Sequence, residues 1–243
     1  MKTNPSPCPS DVPLPEGEGS AKYHMDLDIE MYLSCIQSQS RIYTWQKDSI
    51  TLGYSQNIEN EIDIIKADKL GVDIAKRPTG GGIALHSKGD IAYCVVMPAN
   101  KNPNPKSQIP TSNGIMENYL MISEMIVRVL NNVGIRAMIK SQISNPKSHS
   151  NLCFTQALSH EITVDGRKLV GSAQKRGKHA IIQQGAIQIH KTPEYLFDIL
   201  KGQISKGDYY KNSIDVDEIK SDINIAAIVD TLKRGFPDLI STK

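Results

Sequence analysis

With 243 residues the chain fits one large domain or two small ones and can bury a substantial core. Its 28 basic and 26 acidic side chains nearly cancel, so net charge argues for no nucleic acid or other polyanionic partner. No apolar run reaches the roughly 18 residues of a membrane span, and Cys8, Cys35, Cys94 and Cys153 show no C-x-x-C spacing, which speaks against a zinc site or disulfide framework and for a reducing cytoplasm.

Residues 1–20 hold five prolines with Ser, Gly and Glu and no apolar h-region, the composition of a disordered tail rather than a signal peptide. The remainder, 21–243, is expected to form a single domain. Met25, Ile29, Leu33 and Ile36 recur at helical spacing and predict an amphipathic helix over 25–37. Arg41 to Trp45 and Asp48 to Tyr54 resemble two strands joined by a short turn at Gln46 and Lys47. Asn57 can cap a helix over Ile58 to Leu70, which Gly71 stops. Strands are then expected at Val72 to Lys76 and Ile91 to Met97, with a Gly run between them.

Four prolines within 98–115 mark a long loop. Met116 to Asn132 carries the strongest helical stripe, from Met116 through Tyr119, Leu120, Ile122, Ile126 and Val129 to Leu130. A strand over Ile135 to Ile139 and a polar loop over Lys140 to Asn151 lead to Cys153. Asp165-Gly166, flanked by Glu161 to Val164 and Lys168 to Ser172, is a strong hairpin signal. A strand at Ala180 to Ile189, a short helix at Pro193 to Leu200 and a helix near Ala226 to Leu232 complete the pattern. Strands in hairpins interrupted by helices predict an α+β fold whose central mixed, largely antiparallel sheet is flanked by helices.

Two segments carry the chemistry. In Arg77-Pro-Thr-Gly-Gly-Gly-Ile-Ala-Leu-His86, Gly80, Gly81 and Gly82 allow backbone amides to press against a ligand, and Arg77 supplies a fixed positive fork. The second segment runs from Cys153 through Gly166-Arg-Lys-Leu-Val-Gly-Ser-Ala-Gln174. An unpaired cysteine is more often a small buried hydrophobe than a nucleophile. An ordinary thiol, with a pKa of about 8.5, is only a few per cent thiolate at neutral pH, so a nearby ammonium such as Lys168 would raise its reactive fraction and could hold an acyl oxygen. The small Gly171, Ser172 and Ala173 leave room beside Lys168, or reflect close sheet packing. Cys94 and Cys35 read as core residues, the latter on the first helix.

Together with the looser matches at His24-Met-Asp-Leu-Asp28, Trp45 and Ser49 to Gln56, these segments resemble the lipoate–protein ligase, octanoyltransferase and biotin–protein ligase superfamily over residues 20–200. The resemblance implies a fold like that of class II aminoacyl-tRNA synthetases and biotin ligases. It is nearest to the cysteine-dependent octanoyltransferases, which implies that Cys153 is the acyl acceptor and Lys168 the catalytic lysine. Arg77, Thr79, Gly80, Gly81, Gly82, His86, Gly171, Ser172, Ala173 and Gly185 would line the substrate site, with Gln184 and Ala186 closing its far end. His86 is either a polar contact to the acyl carbonyl or a structural histidine, and His190 reads as a strand-end histidine.

The implied reaction moves an octanoyl group from octanoyl–acyl carrier protein to a lysine of a lipoyl domain, of a glycine-cleavage protein or a 2-oxoacid dehydrogenase subunit, and requires no cofactor. The basic Lys175-Arg-Gly-Lys178 cluster is a candidate landing patch for such partners. The alternative is a lipoate–protein ligase that uses ATP and Mg to form lipoyl-AMP. Against it, His160-Glu161 stands where such ligases usually carry Asn-Asp, Gly89-Asp90 stands where they often show Gly-Asn, and only 43 residues follow Leu200. Retention of Cys153, Lys168 and the Gly run argues against a third reading, a relative that only binds its partners.

Overall fold

In a computed structural model, residues 19–99, 114–140, 152–153, 160–202 and 205–241 are described. The expected Pro-rich tail, the loop over 98–115 and the polar loop before Cys153 fall largely outside those residues, as does Cys8.

Helix α1 (Ala21–Leu33) begins where Ser20 caps it by accepting the Tyr23 amide, and is followed by strands β1 (Gln39–Thr44) and β2 (Ser49–Leu52). Helix α1 starts four residues before its expected position, and its buried face is Ala21, His24, Met25 and Asp28. Leu33 and Ile36, which the apolar spacing placed inward, are exposed. Cys35 lies beyond the helix end and is half-buried, not a helical core residue. Strands β1 and β2 do not pair with each other and belong to different sheets.

The expected helix over 58–70 is broken in two, α2 (Ile58–Glu61) and α3 (Ile64–Lys69), because Ile62 turns fully inward to bridge Leu200 and Asp63 caps the second piece. Strands β3 (Asp73–Lys76) and β4 (Ala84–His86) bracket the Gly run, and β5 (Ile91–Pro98) follows. Helix α4 (Gly114–Asn132) ends before Gly134, whose φ of 88° suits glycine. Beyond it come β6 (Met138–Ile139), β7 (Ile162–Val164), β8 (Arg167–Arg176) and β9 (Ala180–Ile187). The turn between β7 and β8 has φ of 49° at Asp165 and 80° at Gly166, the pair of positive angles that matches strand twist in a two-residue hairpin.

A 3-10 turn over Glu194–Ile199 and helices α5 (Lys206–Asn212), α6 (Val216–Ile219) and α7 (Ile225–Ser241) close the chain. Helix α7 is more than twice its expected length and runs through Pro237; α5 and α6 carried too short an apolar pattern to be anticipated.

The fold is α+β as expected, with a largely antiparallel central sheet flanked by helices, and a second, smaller sheet stands beside it. One is six-stranded and antiparallel, in the order β1-β5-β9-β8-β7-β6; the other is three-stranded, with β2 parallel to β3 and antiparallel to β4. Strand β5 shows how the larger sheet is covered. Ile91, Tyr93, Val95 and Met97 face a core built with α4 and α7, while Ala92, Cys94 and Val96 face α1 on the other side. This two-residue alternation explains why every residue from Ile91 to Met97 is buried. The smaller sheet has its own core, including Ile50, Leu52, Ile83, Leu85, Phe197 and Tyr209. No helix among the described residues is long and apolar enough to cross a membrane.

Candidate active site

Cys153 sits where the two sheets meet. Its amide donates to the Ile83 carbonyl at 2.8 Å, and the adjoining Leu152 bridges Ile83, so the segment is docked onto the smaller sheet just after the Gly run. The residue is partly buried, and its Sγ faces Gly81. A Cβ on Gly81 would stand 3.6 Å from that sulfur, 3.5 Å from Arg77 Nη2 and 4.0 Å from the Ala173 Cβ, which locates all four residues around one small space. With φ of 93°, Gly81 also holds a backbone conformation that side-chain-bearing residues rarely adopt.

The Gly run is fixed from beneath. Gly53 backs directly onto it: a Cβ there would lie 2.0 Å from the Gly81 carbonyl oxygen. The Tyr54 amide donates to Thr79 O at 2.9 Å. Arg77 then threads its guanidinium through the loop. Nη1 donates to the Thr51 carbonyl and hydroxyl at 2.8 and 2.7 Å, and Nη2 to Gly82 O at 2.7 Å and more weakly to Gly80 O at 3.3 Å. The same Nη2 lies 4.0 Å from Cys153 Sγ, so a thiolate formed there would face a buried cation.

His86 is buried and stacked on Trp45, with ring centroids 4.4 Å apart. Its Nε2 is 2.8 Å from the Thr51 hydroxyl. The same hydroxyl accepts from Arg77 Nη1, so Thr51 links the histidine to the guanidinium. Burial, reinforced by Arg77, holds the imidazole down to about 3, so it is neutral. Of the two readings open for His86, this arrangement supports the structural one.

Thr79 turns away from Cys153 into a buried polar chain. Its hydroxyl donates to Gln184 Oε1 at 2.9 Å, and Gln184 Nε2 donates to Asp28 Oδ2 at 2.7 Å. Asp28 is ion-paired to Arg41, which also donates to the His24 carbonyl at 3.1 Å. Burial raises the Asp28 pKa against the pull of Arg41, and it lowers His24 to about 4. The chain ties α1 and β1 to the Gly run.

On the opposite wall, Lys168 is almost fully buried. Its ammonium donates to the Cys153 carbonyl at 2.6 Å and pairs with Glu161. Lys168 and Ala173 are five residues apart, which in a regular strand would place them on opposite faces. A register shift resolves this: Thr163 pairs with Lys168, whereas Ile162 pairs with Val170, leaving Leu169 as the extra residue. Leu169 and Val170 consequently both enter the core beneath α4, and Lys168 is re-aimed to the face that carries Ala173.

Beyond the bulge the alternation is regular and divides the remaining expected residues. Gly171 and Ala173 share the face toward Cys153. Ser172 and Gly185 face the α7 layer instead: the Ser172 hydroxyl lies 2.5 Å from Tyr93 OH, and a Cβ on Gly185 would fall 2.4 Å from the Tyr93 ring. Tyr93 in turn packs on Phe236 of α7. The structure thus gathers Arg77, Gly80 to Gly82, Cys153, Lys168 and Ala173, and leaves Ser172 and Gly185 behind the sheet.

Asp90 is also accounted for locally. Both of its oxygens are spent on backbone amides, those of Ser87, Ile189 and His190 at 2.8, 2.8 and 3.1 Å, and burial pushes its pKa up to about 7. His190 lies three residues past the end of β9 rather than at the strand end, and pairs with Asp217 on the surface. Lys175 of the basic cluster holds its ammonium over the Tyr54 and Tyr32 rings, at 4.7 and 5.6 Å. Among the described residues, no group of three or more His, Cys, Asp or Glu side chains is placed to hold a metal ion.

In the sequence Glu161 stands out as a hairpin-strand residue and a departure from the ligase pattern, and Thr51 and Gly53 as members of an expected strand and a loose match. The geometry makes all three neighbours of the site.

Residues 20–236 match the family described as the lipoyl protein ligase A/B catalytic domain. The octanoyltransferase LipM of Carboxydothermus hydrogenoformans is 37% identical over 164 residues, 66% of this chain and 56% of that protein. The enzyme of the same name from Kyrpidia tusciae is 31% identical over 199 residues, 77% of this chain and 69% of that one. The chain therefore spans little more than half the length of the first of these relatives. Among solved structures, a lipoate-protein ligase A bound with ATP superposes with a TM-score of 0.68 at 23% identity, covering 89% of this chain and 79% of that one. The bi-partite lipoate protein ligase of Thermoplasma acidophilum gives 0.65 at 22%, covering 90% and 78%. These last two likenesses establish the fold, not the reaction.

Proposed function

The chain belongs to the lipoyl protein ligase A/B catalytic domain family, and on that premise we propose that it moves an octanoyl group from acyl carrier protein, through a thioester on Cys153, to a lysine of a lipoyl domain. The observation that carries this reading is the placement of Cys153. Cys153 is only partly buried, its sulfur lies between Gly81 and Arg77, and its main chain is held by Lys168. A merely structural cysteine would need none of these charged neighbours. The relatives named octanoyltransferase support the same conclusion.

In the first step the Cys153 thiolate adds to the thioester carbonyl carbon, the bond to the carrier sulfur breaks, and the carrier leaves as a thiol with the proton Cys153 gave up. Negative charge that develops on the carbonyl oxygen is met by the Lys168 ammonium, while the Gly run shapes the opposite wall. In the second step the neutral amine of the acceptor lysine adds to the same carbon, a C–N bond replaces the C–S bond, and the amine proton returns to the sulfur. Exchange between thioesters is nearly balanced and conversion to an amide is downhill, so the reaction proceeds without ATP. Gly171 and Ala173 leave room beside Cys153 for the acyl group.

The test is transfer itself. Purified chain, octanoyl–acyl carrier protein and a lipoyl domain are mixed without ATP, and the mass of the acceptor is followed. A gain of one octanoyl group on the acceptor is expected. No transfer under these conditions, but lipoyl transfer once ATP, Mg and lipoate are supplied, would replace the proposal with the ligase reaction.

A further inference from the structure

Glu161 is bound to the site by three independent features of one hairpin. His160, immediately before it, has φ of 72°, a left-handed conformation uncommon for residues other than glycine. The backbone on either side of that bend is pinned to the end of β6, with the His160 amide donating to Lys140 O at 3.0 Å and the Lys140 amide to Glu161 O at 2.8 Å. The bulge in β8 then turns Lys168 to the same face as Thr163 and Glu161, so the carboxylate reaches the ammonium diagonally across the strands. Both side chains are more than nine-tenths buried. An ammonium buried to this degree requires a counter-charge, and a carboxylate fixed by a bend, an edge strand and a bulge supplies it in one orientation.

We propose that Glu161 is the positioning residue for Lys168: it fixes the charged ammonium against the Cys153 carbonyl, and so sets the distance between that charge and an acyl group on Cys153. It acts through Lys168 and touches neither the sulfur nor the acyl group. The inference rests on the acyl-transfer reading for the role of Lys168, but the pairing does not depend on which acyl donor is used.

The test is a cycle of Glu161→Gln and Lys168→Met, singly and together, read as single-turnover acylation of Cys153 by octanoyl–acyl carrier protein, with thermal melts of each protein. Glu161→Gln is expected to slow acylation roughly 100-fold, the effect of displacing a catalytic group by about 1 Å, with the half-saturating donor concentration unchanged. In the Lys168→Met background the same change is expected to alter the rate less than twofold. Glu161→Asp, which keeps the charge but withdraws it by one methylene, should fold normally and lie between wild type and Glu161→Gln. Wild-type rates in Glu161→Asp and Glu161→Gln, or an equal loss with and without Lys168, would overturn the proposal. If wild-type protein accepts no octanoyl group, the transferase reading fails, and the same cycle read on ATP-dependent lipoyl transfer decides the role of Glu161.

Discussion

The two walls that meet at Cys153 are built on different principles. On the Gly-run wall one guanidinium satisfies main-chain and hydroxyl oxygens, a neutral histidine is stacked on Trp45, and a second glycine is packed under the loop. Its polar groups are spent on one another, and shape is what it contributes. On the β8 wall the decisive feature is a buried ion pair delivered by a bulge. Removing a group from the first wall should therefore damage fold and reaction together. On the second, the two can be separated.

The sharpest separation is expected at Lys168. Lys168→Met breaks the buried pair with Glu161 by removing its cationic half, and should cost about 3–5 kcal/mol in urea unfolding. Adding Glu161→Gln removes the carboxylate charge and should restore most of that stability, while acyl transfer stays as slow as in Lys168→Met alone. Recovery of activity in the double variant would mean that the pair serves only the fold.

Gly53→Ala tests the other wall. The new methyl would strike the Gly81 carbonyl, a main-chain group that cannot swing aside, and an overpacked site of this kind should lose about 3 kcal/mol. Activity should fall in parallel, because the displaced atoms are those that face Cys153. A variant with normal stability and no activity would place Gly53 with the ion pair rather than with the scaffold.

A smaller effect is expected from His86. Its imidazole is held at about 3 in the folded protein, against the ordinary value of about 6.5 in the unfolded chain. Between these limits the unfolded chain binds the extra proton, so the contribution of His86 is complete above about pH 6.5 and is lost progressively as pH falls toward 3. Between pH 7 and pH 5, His86→Gln should lose about 2 kcal/mol less stability than wild type, as measured by urea titration at each pH. Equal losses in the two proteins would show that His86 is not buried in its neutral form.

Much of this architecture was legible in the sequence where a local rule governs the chain. The Asp165-Gly166 turn, the Asn57 cap and the two-sided burial of Ile91 to Met97 all follow from residues next to one another. The site residues legible by motif were those whose chemistry is tied to type, namely Arg77, the glycines, Cys153 and Lys168. What was hidden depends on partners distant in the chain. The α1 face could not be read from apolar spacing because its buried positions include His24 and Asp28, which are tolerated inside only because Arg41 and Gln184 come to meet them. The separation of β1 from β2 is set by pairing with β5 and β3, not by the turn between them. The division of Gly171 to Ala173 between two faces was equally invisible, since one inserted residue at Leu169 decides which way each side chain points.

The central claim is that Cys153 itself carries the acyl group. Intact-mass spectrometry of the protein after mixing with octanoyl–acyl carrier protein, without ATP and beside a Cys153→Ala variant, reads this directly. A gain of one octanoyl group, labile to hydroxylamine and absent from the variant, is expected. An unmodified wild-type protein, or an adduct that persists in Cys153→Ala, would contradict it.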